Sequence, residues 1–324
     1  MEDSKRTDFI EGQRENDATP RSSPIVAKKR HYLDVENRNT IPKVLNLLHL
    51  IGALIQTAEC IFLFAFSRNI HLKWLLFTHY PVAVEDSYAA VLGGVGVDNL
   101  YYARPETRLV SEVSVPWVTG TIVLLSALDH IFTITPYGRN LYNHGLSQNR
   151  ATYRWLEYGI SCSLMNMHMA QLVGVTDVHM ILLIFVLSIL IQYPAYIFEV
   201  VNGRARAEGH AYYWSPFFIG CLPYAAVWGV ILTYYAESLA EVENQPQFVF
   251  PTIIAVFCLE CLFPIVFVLQ WLQMGIFKDY MVGEYTFMML GVLAKSSLAW
   301  LTIVGSSKYA EGFREQEADD LFYN

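Results

Sequence analysis

Apolar residues in this chain do not alternate with polar ones. They fall in blocks of about 20, the number that a helix rising about 1.5 Å per residue needs to cross a bilayer. Seven blocks stand out: Val44–Phe66, Val115–Thr135, Ala151–Val173, Val178–Val201, Ser215–Ser238, Phe248–Met274 and Gly283–Gly305. The pattern predicts an all-α membrane protein built as a seven-transmembrane-helix bundle over residues 43–306. Residues 67–114 form one long connection between the first two blocks. Within it, SYAAVLGGVGVDNLYYA sets β-branched and aromatic residues around glycines, which predicts a small β-hairpin. A two-stranded hairpin is marginal alone, so it is expected to rest on the bundle or on a partner subunit.

Composition strengthens the membrane reading. Hydrophobic residues make up 54 % of the 324 positions and charged residues 16 %, against about 25 % charged in soluble domains. The segment 1–42 is polar and mixed in charge, has no apolar signal-peptide core, and predicts a disordered tail. A formal net charge of −8 speaks against a nucleic-acid partner. The bilayer itself is the expected surrounding partner.

Orientation follows from Lys and Arg, which resist translocation. The second, fourth and sixth connections carry Arg139, Arg150, Arg204, Arg206 and Lys278, and Lys28, Lys29 and Arg30 precede the first span. The third and fifth connections carry no Lys or Arg, and the fifth (AESLAEVENQPQ) is acidic. The N-terminus is therefore expected in the cytoplasm. Seven spans then place the acidic C-terminal tail, 307–324, outside, and the plasma membrane is the expected location. The five cysteines (Cys60, Cys162, Cys221, Cys258, Cys261) all lie inside predicted spans, away from loops where disulfides form. No nucleotide loop, zinc spacing or catalytic triad is present, so no enzyme activity is expected.

One residue breaks the last apolar block. Lys295 lies about ten residues from either end of its span, about 15 Å of helix from each interface, too far for its stem to snorkel. An ammonium there costs about 2.5 kcal/mol or more, so it should be paired with a buried acid or consumed chemically. The third span offers Glu157, a turn deeper than Arg154, with Ser161 at i+4 and Trp155 and Tyr158 beside it. Glu157 can pair with Lys295, or with Arg154 at i−3 on its own helix, unless Arg154 reaches the cytoplasmic surface. Small residues flank the lysine (Gly291, Ala294, Ser296, Ala299) and leave room for a ligand or for close helix packing. In the sixth span, Phe263 and Phe267 around Pro264 suit the wall of an elongated apolar pocket, or ordinary packing.

Seven spans, a lysine central in the seventh, a carboxylate in the third and an inside N-terminus resemble the heliorhodopsins, microbial-type retinal proteins of inverted orientation. RWLEYGISCSLM resembles that family's counterion helix, LSALDH the segment that places a histidine near the Schiff-base cavity, and LAKSSLAW the attachment helix; SPFFIGCLPY is also family-like. The resemblance covers roughly Lys43 to Gly305. It implies all-trans retinal bound to Lys295 as a protonated Schiff base, Glu157 as counterion, and His130, Gln56, Glu59 and Ser161 in the Schiff-base cavity. The pocket is expected from Trp155, Tyr158, Gly291, Phe263, Pro264 and Phe267. Two positions depart from the family: Gln56 stands where a second cavity histidine is common, with His49 a poorer match, and Gly291 stands where a serine is common.

The function implied is a photoreceptor with a slow sensory photocycle and no ion pumping. The family also implies a homodimer capped by the long loop, and the signalling partner is an unidentified cytoplasmic or membrane protein. A light-gated proton or cation conductor is the alternative, motivated by the intramembrane acids Glu59, Asp129, Glu157, Glu199 and Glu260. Of these, Glu199 is expected near the cytoplasmic interface and solvated. A retinal-free transporter or receptor with a Lys295–Glu157 bridge is the third class.

Overall fold

A computed structural model describes residues 41–66, 73–85, 101–241 and 247–323. The expected tail therefore lies outside the described residues, apart from Ile41 and Pro42. Eight α-helices and one two-stranded sheet occur among the described residues, in the order α1 (Ile41–Phe66), β1 (Lys73–Glu85), β2 (Tyr101–Ser114), α2 (Val115–Ile134), α3 (Pro136–Ser147), α4 (Thr152–Leu172), α5 (Val178–Glu208), α6 (Ser215–Glu241), α7 (Val249–Trp271) and α8 (Tyr280–Tyr323). A 3-10 turn, Gly275–Lys278, joins α7 to α8.

Six of these helices are long and apolar enough to cross a membrane: α1, α2, α5, α6, α7 and the first part of α8. The helix α4 is less apolar because it is the interior one, with Arg154, Ser161, Asn166, His168 and Gln171 among its buried residues. Consecutive long helices pack side by side, α1 on α2, α2 on α4, α4 on α5, α5 on α6 and α7 on α8, and α8 closes on α1 and α2. Rings from α6 and α7 meet across the remaining gap, Phe217 stacking on Phe267 at 5.8 Å and Trp228 meeting Phe257 at 4.7 Å. The continuous apolar core runs from Leu45 through Met165, Phe198 and Trp271 to Leu298.

Local chemistry sets several helix starts. Thr135 caps α3, its hydroxyl accepting from the Gly138 amide at 3.1 Å, with a proline in the first turn. Asp177 caps α5 by accepting from the His179 and Met180 amides, each at 2.9 Å. Such caps satisfy amides that a helix leaves unpaired. The short helix α3 is not visible as an apolar block because only one face turns inward, burying Gly138, Tyr142 and Leu146.

The hairpin is larger than its glycine-rich stretch suggests. Its antiparallel strands run from Lys73↔Ser114 to Glu85↔Tyr101, flanking residues 86–100, which lie outside the described residues. It rests on the bundle: the Phe77 amide donates to the Thr176 carbonyl at 2.9 Å, in the connection between α4 and α5. At the other end of the sequence α8 does not stop at Gly305 but continues as helix to Tyr323.

Candidate functional site

The helix α4 presents two adjacent faces. Residues 155, 158, 162 and 165 follow helical spacing along one, and 154, 157 and 158 share the other, with Tyr158 on the common edge. The first face borders a cavity of about 120 Å³ between α4, α5, α6 and α7. The second borders a cavity of about 30 Å³ toward α1, α2 and α8, large enough for water at roughly 10–15 Å³ per molecule.

The smaller cavity holds the lysine. On α8, Glu284, Met288, Gly291, Val292 and Lys295 fall on one stripe and line it. Lys295 is 2 % exposed, so its ammonium does not reach an interface. It donates to Glu157 Oε1 at 2.5 Å and to Ser126 Oγ at 3.2 Å, and sits 5.0 Å from the centre of the Tyr158 ring, within cation–π range. Glu157 is thus the lysine's partner and not that of Arg154. Ser126, within LSALDH, supplies the hydroxyl; Ser161 is fully buried and does not line this cavity.

His130 lines the same cavity, and its Nδ1 lies 2.9 Å from Nδ1 of His49. The second histidine bordering this cavity is therefore His49, two helical turns nearer the start of α1 than Gln56. Gly52, on the same face, allows this: an added β-carbon would lie 2.8 Å from the His130 ring. Gln56 is fully buried and does not line the lysine cavity. Glu59 is drawn away from it as well, accepting from Ser296 at 2.8 Å and Trp300 Nε1 at 2.9 Å. The small residues around the lysine serve packing: Ala294 and Ala299 are buried, and Ser296 turns to Glu59.

The larger cavity is walled by Trp155, Tyr158, Phe263, Pro264, Phe267 and Phe287, with Glu260 and Asn166 among its few polar groups. Edge-to-face contacts hold the wall, Tyr158 to Phe263 at 5.5 Å and Trp155 to Phe267 at 5.8 Å. Glu260 accepts from Trp228 Nε1 at 2.8 Å. Tyr158 divides the two cavities and donates to the Phe287 carbonyl at 2.7 Å. A β-carbon on residue 291 would lie 2.8 Å from the Tyr158 hydroxyl, so Gly291 is what lets that ring stand between lysine and pocket.

Arg154 neither reaches the surface nor pairs with Glu157. It bridges Glu284 and Glu199, the latter at 2.6 Å. Glu199 is not solvated: it has no exposed surface, because it also accepts from the Ala151 amide at 2.8 Å at the start of α4 and from the Tyr280 hydroxyl at 3.1 Å. A carboxylate at a helix start is favoured by the helix dipole.

A sequence model of the heliorhodopsin family matches residues 45–307. The chain belongs to the heliorhodopsin family. Solved structures agree on the fold. The rhodopsin of Exiguobacterium sibiricum superposes with a TM-score of 0.57 at 11 % identity, over 83 % of this chain and 98 % of that one. The thermophilic rhodopsin of Rubrobacter xylanophilus gives 0.52 at 16 %, over 81 % and 96 %. The transmembrane domain of the Salpingoeca rosetta rhodopsin phosphodiesterase gives 0.54 at 11 %, over 85 % and 90 %. A search of curated protein sequences returns no match. This heliorhodopsin is accordingly an integral membrane protein of a retinal-binding, light-sensing family.

Retinal suits the residues present. An apolar, aromatic-walled cavity lies one tyrosine ring away from a buried primary amine, and the amine already faces a carboxylate and a hydroxyl. Of the groups at this site, Ser126 and Glu284 carry no weight in the sequence reading, while His49 stands there below Gln56 and Glu199 is expected in solvent. Helical periodicity would have pointed to Glu284, which lies three turns before Lys295 on the same stripe of α8.

Proposed function

We propose that this protein is a seven-helix retinal photoreceptor in which all-trans retinal is attached at Lys295 and Glu157 is the counterion. The supporting observation is the Lys295–Glu157 pair at 2.5 Å, buried beside the aromatic cavity. Two opposite charges taken out of water need close pairing and further hydrogen bonds, and Ser126 supplies one. When bound, retinal supplies the visible chromophore, as a protonated Schiff base on the Lys295 nitrogen, and the isomerisation that light drives.

The chain's own groups do the rest. Glu157 holds the proton on the Lys295 nitrogen in the dark, and Tyr158, Trp155, Phe263 and Phe267 would line the bound retinal. His130 and His49 stand ready to receive the proton once it leaves, since in a neutral pair joined through Nδ1 the donating ring keeps a lone pair on its Nε2. Tyr142, Arg154 and Glu284 line the same cavity and keep polar groups for the proton beside the lysine, which suits a slow sensory cycle without pumping. Glu59, the outward acid behind the conducting alternative, has both oxygens engaged by α8, so the sensory reading is retained. In this reading the N-terminus is cytoplasmic and the C-terminus lies outside. A homodimer fits the hairpin, where β2 exposes Leu109 and Val110.

The test is an absorption spectrum after all-trans retinal is added to the purified protein and to Lys295→Ala. A visible band is expected in the former alone, with both proteins folded. A folded wild-type protein that stays colourless would sink the proposal.

A further inference from the structure

Three carboxylates are in ion pairs around the lysine cavity and Arg154: Glu157, Glu199 and Glu284, while Asp129 lines the cavity outside those pairs. Against them stand two permanent cations, Lys295 and Arg154. Glu157 answers Lys295, so Glu199 and Glu284 share one guanidinium. Such a cluster carries one more negative charge than positive, and burying an unbalanced charge is costly. A proton is what would balance it.

The two acids are not equivalent. Glu199 is fixed by three donors, Arg154, Tyr280 and the Ala151 amide, and does not border the cavity. Glu284 has two, Arg154 on Oε1 and the Tyr142 hydroxyl on Oε2 at 3.3 Å, and lines the same cavity as Lys295. Protonating Glu284 leaves Arg154 its bond to Glu199. Protonating Glu199 would sacrifice the better-held ion pair.

We infer that Glu284 is the group that finally accepts the proton leaving the Lys295 nitrogen in the light, and returns it in the dark. The inference rests on the retinal reading above. The route is on one side of Tyr158: from Lys295 past His130 to His49, whose ring meets that of Tyr142 at 5.4 Å, and from Tyr142 to Glu284. The N–H bond at Lys295 breaks, an O–H bond forms at Glu284, and no electron changes hands. The nitrogen becomes neutral and the Arg154 cluster loses its surplus charge. Stopping at the histidines would instead create an imidazolium in the cavity that Arg154 also lines and leave that surplus in place. Directly facing Glu284 are Arg154 and Tyr142; through Arg154 come Glu199 and Tyr280, and across the cavity Asp129, Glu157 and the histidines.

Infrared difference spectra of the full-length, retinal-loaded protein read this directly. A protonated-carboxyl band is expected to rise as the visible band bleaches, to vanish in Glu284→Gln and to persist in Glu199→Gln. Persistence of the band in Glu284→Gln, or its loss only in Asp129→Asn, overturns the inference. Absence of any visible pigment is a failure of the retinal reading, and a second measurement still decides the acceptor. Infrared titration of the retinal-free protein should show a buried carboxylate gaining a proton on acidification, lost in Glu284→Gln; an unchanged titration in that variant also overturns the assignment.

Discussion

Glu157→Gln is expected to cost about 3–5 kcal/mol in the retinal-free protein, the usual penalty for stranding one member of a buried ion pair. The amide keeps the shape and one hydrogen bond to Lys295 but removes the charge. Ser126 then provides a neutral acceptor at 3.2 Å, which does not compensate an ammonium. In the pigment the same change should shift absorption from the visible to the near ultraviolet at neutral pH, with colour returning on acidification. Thermal melts and a pH series of spectra check the two halves. A variant with wild-type stability and colour would show that another acid of the cavity lining, Asp129 or Glu284, carries the charge.

The second large effect belongs to Arg154→Gln. It leaves Glu199 and Glu284 buried without their cation and removes the guanidinium from its seat against Phe287 at 4.1 Å and Trp155 at 4.5 Å. The loss should again be about 3–5 kcal/mol, a fall in melting temperature on the order of 10 °C for a chain of this size. Adding Glu284→Gln to that variant should recover part of the loss, because it removes one of the two stranded charges. Fluorescence-detected melting of the single and double variants measures this coupling. Simple additivity would mean that Arg154 contributes packing alone.

Why some of this was legible from sequence, and some not, follows from what each residue answers to. Helix positions came from apolar block length, a local property, and the starts of α2, α5 and α6 fall at Val115, Val178 and Ser215 as expected. The lysine and Glu157 were legible because a charge in an apolar block demands a partner. Partners reached across the bundle were not. Glu199 stands near the end of an apolar block, where a carboxylate can always be imagined in water; only the packing of α4 against α5 reveals that it closes the start of α4. Gln56 drew attention over His49 for the same reason: linear spacing does not encode how deep α1 sits against α2. The strands of the hairpin were missed because the glycines mark the region between them, outside the described residues, and not the strands themselves.

The account stands or falls on Lys295 as the point of attachment. The most direct measurement is borohydride reduction of the retinal-loaded protein, followed by peptide mass spectrometry. A retinyl adduct on the peptide containing Lys295, and on no other lysine, is the predicted result. An unmodified Lys295, or an adduct at Lys43, Lys73 or Lys278 instead, would contradict it.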